Sequence, residues 1–210
     1  MKAEEFVRFI GKQRASAILR TPHGDRAVPA MEAAARAGFR ALEFTLTIPG
    51  AFEAIATMAR DPDLVIGAGT VLTAEEAERA VAAGARFLVS PVCDPAIIRV
   101  ARDLEVAIIP GCHTPTEMLT AHRAGAPLIK PFPIPGTGPD HLKACLGPLP
   151  FLKIIPTSGV TLENAAAYLR AGAHAVGFVA PLFDPAAIEE EDYDRIEALG
   201  RSLLEATRDA

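Results

Sequence analysis

Lys130 follows the short apolar run Leu128-Ile129 and directly precedes Pro131-Phe132-Pro133. An ammonium group that is buried without a partner is costly, and burial shifts the pKa of a lysine downward, toward the neutral amine. A neutral lysine amine is a nucleophile that can form a Schiff base with a carbonyl carbon. The sequence therefore makes Lys130 a candidate for covalent catalysis on a carbonyl compound.

A second ionisable side chain also lies in an apolar run. Glu43 stands between Ala41-Leu42 and Phe44-Thr45-Leu46, where a carboxylate without a partner is unfavourable. One interpretation is a carboxylate satisfied by backbone donors or by a salt bridge. The other is a general acid or base whose pKa is raised by burial. A lysine and a carboxylate directed at one site favour the second interpretation.

Short apolar runs alternate with amphipathic stretches along the chain, and most of the runs are continuously apolar. Continuous apolar strands are typical of a parallel sheet that is buried on both faces. The runs are residues 17–19, 41–44, 64–66, 87–89, 106–109, 128–129, 153–155 and 175–178. Eight strand–helix units in 210 residues predict a single domain, residues 1–210, with the fold of a small (β/α)8 TIM barrel. An additional helix from Ala3 to Lys12 is expected before the first strand.

Helix boundaries agree with this alternation. Thr73 and Thr114 are each followed three residues later by a glutamate, which is the pattern of a capping box. Several expected helices end in an Ala-Gly pair, where glycine suits a left-handed C-cap. A doubly wound open sheet is the alternative, but no Gly-x-Gly-x-x-Gly motif follows the first strand.

In such a barrel the chemistry lies at the carboxyl ends of the strands. Lys130 ends the sixth expected strand, whereas Lys153 begins the seventh and should lie at the opposite end. We therefore interpret Lys153 as a structural lysine whose stem reaches water. Arg20 ends the first strand, and it is either a surface arginine or a guanidinium that binds a carboxylate or phosphate.

Two polar turns follow other strands. The glycines of Gly67-Ala68-Gly69-Thr70 would let the backbone approach a ligand, which Thr70 could hydrogen-bond. Thr157-Ser158-Gly159 precedes a helix that we expect Thr161 to cap. Loops after the seventh and eighth strands commonly hold phosphate in these barrels, with amides at a short helix N-terminus as donors.

The bulk composition excludes several classes of protein. The net charge is −5 and the 21 basic residues form no dense cluster, so nucleic-acid binding is not expected. No apolar run approaches the length of a membrane span, and the N-terminus lacks the apolar core of a signal peptide. The three cysteines make neither a disulfide framework nor a zinc motif. We expect a soluble cytoplasmic protein that requires no metal or other cofactor, because even His113 and His122 lack suitably spaced carboxylate partners.

Several motifs in order resemble one enzyme family. They are Leu42-Glu43-Phe44-Thr45-Leu46, Ile66-Gly67-Ala68-Gly69-Thr70-Val71, Ser90-Pro91, Pro110-Gly111 with Thr114-Pro115-Thr116-Glu117, Lys130-Pro131-Phe132-Pro133, and Pro156-Thr157-Ser158-Gly159-Val160. From about Ile18 to the C-terminal helix, the chain resembles the class I aldolases that cleave 2-keto-3-deoxy-6-phosphogluconate (KDPG). That family also includes the 4-hydroxy-2-oxoglutarate aldolases.

The resemblance implies a role for each matching residue. Lys130 corresponds to the family's Schiff-base lysine, and Glu43 corresponds to its acid/base glutamate. Arg20 corresponds to an arginine that helps to bind the substrate carboxylate, and Thr70 to a threonine that lines the site. The remaining expected binding residues, which lie in the same motifs, are Pro91, Phe132, Thr157, Ser158 and Gly159. The resemblance also implies a homotrimer.

The chain departs from the family at the expected phosphate pocket. Ser158 replaces the second residue of the usual Thr-Gly-Gly, and Ala180 stands where a serine often holds the phosphate. Thr47 occupies a position that is arginine in many members. We therefore expect weaker discrimination in favour of phosphorylated substrates.

The expected reaction is cleavage of a 4-hydroxy-2-keto acid to pyruvate and an aldehyde. The candidate substrates are 2-dehydro-3-deoxy-6-phosphogluconate and 4-hydroxy-2-oxoglutarate, with glyceraldehyde 3-phosphate or glyoxylate as the aldehyde. One alternative is a phosphate-binding barrel that acts as an isomerase or epimerase without covalent chemistry. Another is a non-catalytic barrel that binds a sugar acid, although binding alone needs neither Lys130 nor Glu43.

Overall fold

Parallel strands and α-helices alternate through the computed structural model, which describes residues 1–208. The strands within these residues are β1 Ala15–Leu19, β2 Ala41–Thr45, β3 Val65–Gly69, β4 Phe87–Val89, β5 Ala107–Ile109, β6 Gly111–Cys112, β7 Lys130–Pro131 and β8 Val176–Phe178. The helices are α1 Ala3–Gln13, α2 Ala27–Ala37, α3 Ala51–Met58, α4 Ala74–Ala82, α5 Pro95–Asp103, α6 Pro115–Ala124, α7 Pro139–Leu146, α8 Ala165–Arg170, α9 Pro185–Glu189 and α10 Tyr193–Arg208. The additional N-terminal helix is therefore confirmed as α1.

The strands form one main parallel sheet. Within the described residues, six strands pair in the order β5-β4-β3-β2-β1-β8, and β6 pairs with β7 separately. The expected seventh strand is reduced to a single bridge between Ile129 and Ile154. The α/β class with a curled parallel sheet is confirmed, but the sheet has fewer continuous strands than the eight expected from the sequence.

Prolines account for these interruptions, because proline has no backbone N–H to donate to a strand ladder. Pro110 separates β5 from β6, Pro131 ends β7, and Pro156 follows the run that forms only a bridge. Proline carbonyls still accept hydrogen bonds. Lys130 N–H donates to the Pro110 oxygen at 3.0 Å, and Gly177 N–H donates to the Pro156 oxygen at 2.9 Å.

The expected helix boundaries are mostly correct. Thr73 and Thr114 make complete capping boxes at α4 and α6. The glycines of the Ala-Gly pairs adopt positive φ, as expected for left-handed caps. The helix after Thr161 begins later than expected, at Ala165, and the Thr161 N–H donates to Asn164 Oδ1 at 2.8 Å in the turn before it.

Alternate residues of the strands pack into two separate clusters, because successive side chains point to opposite faces of a sheet. One cluster packs the sheet against helices α2 to α10. The other cluster packs the inner face against α1, through Phe6 and Ile10. The rings of Phe6 and Phe87 stack with their centroids 4.4 Å apart. Helix α1 therefore covers the inner face of the sheet.

Gly67 makes room for this contact. A Cβ atom at Gly67 would lie 2.3 Å from the Phe87 ring, which is far inside van der Waals contact. The expectation that Gly67 allows a ligand to approach the backbone is therefore wrong, because a side chain of the core occupies that space.

Among residues 1–208, none of the helices combines the length and the apolar character that are needed to cross a membrane.

The substitution Gly67→Ala should destabilise the protein by about 1–3 kcal/mol, because the added methyl group overpacks the inner core against Phe87. Urea unfolding measures this loss. Gly136→Ala is the matched control, since no atom lies within 4 Å of the position its Cβ would take. Equal stability of the two variants would contradict the prediction.

Candidate active site

A cavity of about 530 Å³ opens where the strands end. Its lining contains every residue that the sequence analysis named as catalytic or substrate-binding. The lining residues are Ile18, Arg20, Glu43, Thr70, Pro91, Lys130, Phe132, Thr157, Ser158, Gly159, Val160, Thr161, Val179, Ala180 and Pro181. The fold thus brings together side chains that are more than 100 residues apart in sequence.

Lys130 reaches this cavity from β7. Its backbone segment is held against the segment after β5, because Phe132 N–H donates to the Cys112 oxygen at 3.0 Å and the His113 ring pairs with the Pro133 oxygen at 2.9 Å. The Lys130 side chain is only 9% exposed, and its Nζ lies 4.9 Å from the centre of the Phe132 ring. Lys130 is therefore buried on a segment that hydrogen bonds hold in place.

Burial lowers the pKa of Lys130 below the usual value for lysine. The Glu43 carboxylate opposes this shift, and the positive charge of Arg20 adds to it. Because desolvation is the largest cause, the neutral amine is available at a lower pH than for a lysine in water.

Glu43 enters the cavity from the middle of β2 and is only 3% exposed. Burial raises its pKa, and the charges of Lys130 and Arg20 partly oppose the increase. Within residues 1–208, its carboxylate makes neither a hydrogen bond nor a salt bridge, so the first interpretation from the sequence, a satisfied structural carboxylate, does not apply.

Gly69 provides the space for the Glu43 side chain. β2 and β3 are paired, and a Cβ atom at Gly69 would lie 1.9 Å from Glu43 Oε1. The expectation that this glycine admits a ligand to the backbone is therefore wrong. Gly69 instead accommodates the carboxylate, which could not take this position beside a larger residue.

The pKa of Lys130 is lowered and the pKa of Glu43 is raised. Both side chains can therefore be neutral at the same pH. A neutral amine at Lys130 can attack a carbonyl carbon, and a protonated Glu43 can donate a proton to the oxygen that leaves. The same carboxyl group can then accept a proton, since its raised pKa lies closer to neutral pH. The pair can therefore form a Schiff base and move protons around it.

Arg20 is held at the mouth by two hydroxyl groups. Its guanidinium donates to Thr70 Oγ1 at 3.0 Å and to Thr47 Oγ1 at 3.4 Å, and Thr45 Oγ1 lies 2.9 Å from Thr47 Oγ1. Arg20 itself is exposed, so the guanidinium keeps donors for a ligand. These contacts favour the binding interpretation of Arg20 over that of a free surface arginine.

Thr70 has a backbone conformation that the sequence did not predict. Its φ is 60°, and a β-branched residue rarely adopts positive φ because of steric strain. Such strain is concentrated at functional sites, where neighbouring contacts maintain it. Here the hydrogen bond from Arg20 is one such contact.

Lys153 lies away from the cavity, as expected. It is exposed and shares a different surface depression with Glu4 and Arg8 of α1. The two lysines with apolar neighbours therefore occupy different environments.

The sequence analysis missed Ile18 of the cavity lining and the contact of Thr47 with Arg20. Ile18 faces the cavity because it is paired in register with Glu43 on the neighbouring strand, and the alternation of β1 could have indicated this. Thr47 was noted only as a departure from a family pattern. Its contact with Arg20 depends on the turn after β2, which has no periodic signal.

The first comparison with known proteins concerns sequence. The family model described as "Aldolase: KDPG and KHG aldolase" matches residues 8–199. A 2-dehydro-3-deoxy-phosphogluconate aldolase of Pseudomonas aeruginosa is 38% identical over 181 residues, covering 85% of this chain and 82% of that protein. A probable 2-dehydro-3-deoxy-6-phosphogalactonate aldolase of Rhizobium meliloti is 38% identical over 172 residues, covering 80% and 81%.

The second comparison concerns solved structures. A KDPG aldolase from Legionella pneumophila, with pyruvate captured as a covalent carbinolamine intermediate, superposes with a TM-score of 0.83. It is 30% identical, and the match covers 90% of this chain and 93% of that one. The chain belongs to the KDPG and KHG aldolase family and is a class I aldolase, a carbon–carbon lyase.

Proposed function

We propose that this aldolase cleaves a 4-hydroxy-2-keto acid to pyruvate and an aldehyde. The candidate substrates are 2-dehydro-3-deoxy-6-phosphogluconate and 4-hydroxy-2-oxoglutarate, which yield glyceraldehyde 3-phosphate and glyoxylate. The observation that carries the proposal is the buried pair Lys130 and Glu43, which share one cavity and have opposed pKa shifts.

The reaction begins at Lys130. Its neutral amine attacks the C2 carbonyl carbon to form a carbinolamine. Protonated Glu43 donates its proton to the departing hydroxyl group, so that water leaves and an iminium remains. The iminium cation and the Glu43 carboxylate then lie in the same buried site, where their attraction is strengthened by the low dielectric.

Carbon–carbon cleavage follows from this state. The Glu43 carboxylate accepts the proton of the C4 hydroxyl group, and the C3–C4 bond breaks to give the aldehyde. The electron pair of that bond moves into the iminium, which becomes an enamine. Glu43 then returns its proton to C3, which restores the iminium. Water adds to C2, and as pyruvate and the neutral amine of Lys130 are released, the proton that this hydrolysis frees returns to the Glu43 carboxylate.

Arg20 is proposed to bind the C1 carboxylate of the substrate. Its guanidinium is already oriented by Thr47 and Thr70, and an oriented guanidinium matches a carboxylate well. Thr70 lines the same part of the cavity. Arg20 would therefore hold the keto group near Lys130.

The other lining residues are proposed to shape the cavity. Pro91 and Phe132 provide apolar surface beside Lys130, and Thr157, Ser158 and Gly159 face the chain beyond the reacting carbons. Support for these roles is their position in one cavity with the reacting pair.

We also propose that the strand segments close into an eight-stranded barrel. Hydrogen bonds that continue around the inner face support this: Ile129 N–H donates to the Lys153 oxygen at 2.9 Å, and His174 N–H donates to the Ile154 oxygen at 2.8 Å. These bonds link β7 to β8 through the interrupted segment.

The assembly is proposed to be a homotrimer, on the basis of the family resemblance. A cytoplasmic location is proposed because Cys93, Cys112 and Cys145 are free thiols, which persist in a reducing compartment.

Treatment with pyruvate and borohydride should attach one pyruvate-derived group to Lys130, because reduction traps the Schiff base. Mass spectrometry of the peptides locates the label. Lys130→Ala should lose aldolase activity on the order of 10³-fold or more, as expected when a covalent nucleophile is deleted. Lys153→Ala is the matched control and should keep both label and activity. A label on Lys153 would refute the assignment.

Glu43→Gln should still form the Schiff base, although more slowly, and should turn over about 10²–10⁴-fold more slowly, because it cannot transfer protons. The change also removes the negative charge that raises the pKa of Lys130. The pKa of the amine should therefore fall, and the pH profile of pyruvate trapping should shift to lower pH. Glu78→Gln, an exposed control, should change neither property. Near-normal turnover of Glu43→Gln would assign the proton transfers to another group.

Gly69→Ala should reduce turnover by displacing the Glu43 carboxylate, while leaving Lys130 in place. Steady-state assays should show a loss of about 10²-fold or more, the lower range for a missing acid/base group. Trapping of pyruvate should continue, which separates this effect from unfolding. Gly136→Ala serves again as the control. Unchanged turnover of Gly69→Ala would show that catalysis does not depend on the position that Gly69 allows the Glu43 carboxylate to take.

A further inference from the structure

A second, smaller space lies beneath the reacting pair, on the side of helix α1. Its volume is about 10 Å³, and Phe6 and Ile10 of α1 form part of its lining. Glu43, Lys130 and Thr157 line both this space and the larger cavity. We call the smaller space the inner chamber. Every residue that lines the inner chamber is buried, and Lys130, at 9% exposed, is the most exposed of them.

Ser16 reaches the inner chamber because of its place in β1. Ala15 and Ala17 on either side of it pack against the outer helices, so Ser16 lies on the inner face of the sheet. Ser16 is paired in register with Gly177, and its Oγ lies 3.2 Å from the position that a Cβ atom at Gly177 would take. Thr157 Cγ2 lies 2.7 Å from the same position. The side chains of Ser16 and Thr157 therefore converge where Gly177 leaves room for both.

The hydroxyl groups of these two residues are buried polar groups. Ser16 is 7% exposed and Thr157 is 5% exposed. Within residues 1–208, neither side-chain hydroxyl makes a hydrogen bond to the protein. Buried polar groups are almost always hydrogen-bonded, and ordered water serves where no protein group does. The two hydroxyl groups therefore indicate a bound water molecule.

The inner chamber has the size and the polar groups that one water molecule requires. A buried water needs roughly 10–15 Å³ and makes about 2–4 hydrogen bonds. It can accept a hydrogen bond from the Lys130 amine, donate one to the Glu43 carboxylate, and exchange the other two with Ser16 and Thr157. A space lined by apolar groups alone would stay dry.

We propose that the inner chamber binds one water molecule, which Ser16 and Thr157 hold against Glu43 and Lys130. This water lies on the α1 side of the pair, so it is distinct from the water that hydrolyses the iminium in the larger cavity. Ser16 is then a positioning residue, because it acts on the pair through this water and does not line the larger cavity. The water site stands on the geometry of the inner chamber, whereas its effect on turnover rests on the proposed aldolase reaction.

The bound water stabilises the charged form of each reacting group. It raises the pKa of Lys130 by accepting a hydrogen bond from the ammonium group, and it lowers the pKa of Glu43 by donating one to the carboxylate. Among the described residues that line the two spaces, Arg20 is the only other charged group. Loss of the water should therefore lower the pKa of Lys130 further and raise the pKa of Glu43 further.

A crystal structure at a resolution that shows ordered water tests the binding site. One water molecule should lie within about 3.2 Å of both Ser16 Oγ and Thr157 Oγ1. Ser16→Val replaces the hydroxyl group with two methyl groups and should exclude the water. An unmodified protein whose inner chamber contains no water would overturn the proposal.

The pH profiles of Ser16→Val test the effect on the reacting pair. The midpoint of borohydride trapping of pyruvate should move to lower pH by about one unit, because a hydrogen bond to a charged group is typically worth at least one pKa unit. The acidic limb of kcat, which reports the ionised Glu43 carboxylate, should move to higher pH. A defect of packing alone would lower activity without moving either midpoint.

Thr157→Val is a second variant that removes a hydroxyl group while nearly keeping the shape of the side chain. It should move both midpoints in the same directions as Ser16→Val. Thr207→Val is the matched control, because it removes a buried hydroxyl group of α10 that donates to the Leu204 oxygen, and it should move neither midpoint. If Ser16→Val does not fold, Thr157→Val decides the outcome. Unchanged midpoints in a variant that is still trapped at Lys130 would overturn the positioning role.

Failure of the proposed reaction has a different signature. If pyruvate is not trapped in the unmodified protein, the Schiff base is refuted, while the crystal structure still tests the water site. If trapping is intact but the inner chamber holds no water, only the present inference is refuted.

Discussion

The removal of Lys130 and Glu43 from water is the constraint on which the rest of the site depends. Neither group is compensated by a salt bridge within residues 1–208, so desolvation moves both toward their neutral forms. A buried ionisable group without a partner is costly, so the surrounding structure must hold each of the two in place. Gly69 leaves space for the carboxylate, and the hydrogen bonds of the segment 130–133 hold the lysine. Packing and backbone hydrogen bonds thus hold both side chains in place, although the two are not joined by a salt bridge within the described residues.

Prolines shape the mouth of the cavity. They interrupt the strand ladder at Pro110, Pro131 and Pro156, which all lie close to residues of the site. Each removes a backbone donor but keeps its carbonyl as an acceptor, as the bond from Lys130 N–H to Pro110 shows. The strands can therefore remain aligned while their last residues turn toward the cavity. The same feature explains why the seventh expected strand is only a bridge.

The charged groups of the cavity are held in two different ways. Arg20 is exposed at the mouth, and the hydroxyl groups of Thr47 and Thr70 accept hydrogen bonds from its guanidinium. Lys130 and Glu43 are buried, and packing determines their positions. The guanidinium therefore keeps donors for a ligand, whereas the buried pair is shifted toward its neutral forms.

The sequence by itself determined the α/β class, the extra N-terminal helix and the burial of the ionisable side chains Lys130 and Glu43, because apolar periodicity and charged residues within apolar runs are local signals. It did not determine the roles of Gly67 and Gly69, which depend on what the neighbouring strand places beside them. It also predicted more continuous strands than the sheet contains, since the loss of a backbone donor at a proline matters only where a neighbouring strand would pair with it. The strained backbone of Thr70 and its hydrogen bond from Arg20 were decided by the tertiary structure, because they depend on the geometry of a turn and on a partner that is distant in sequence.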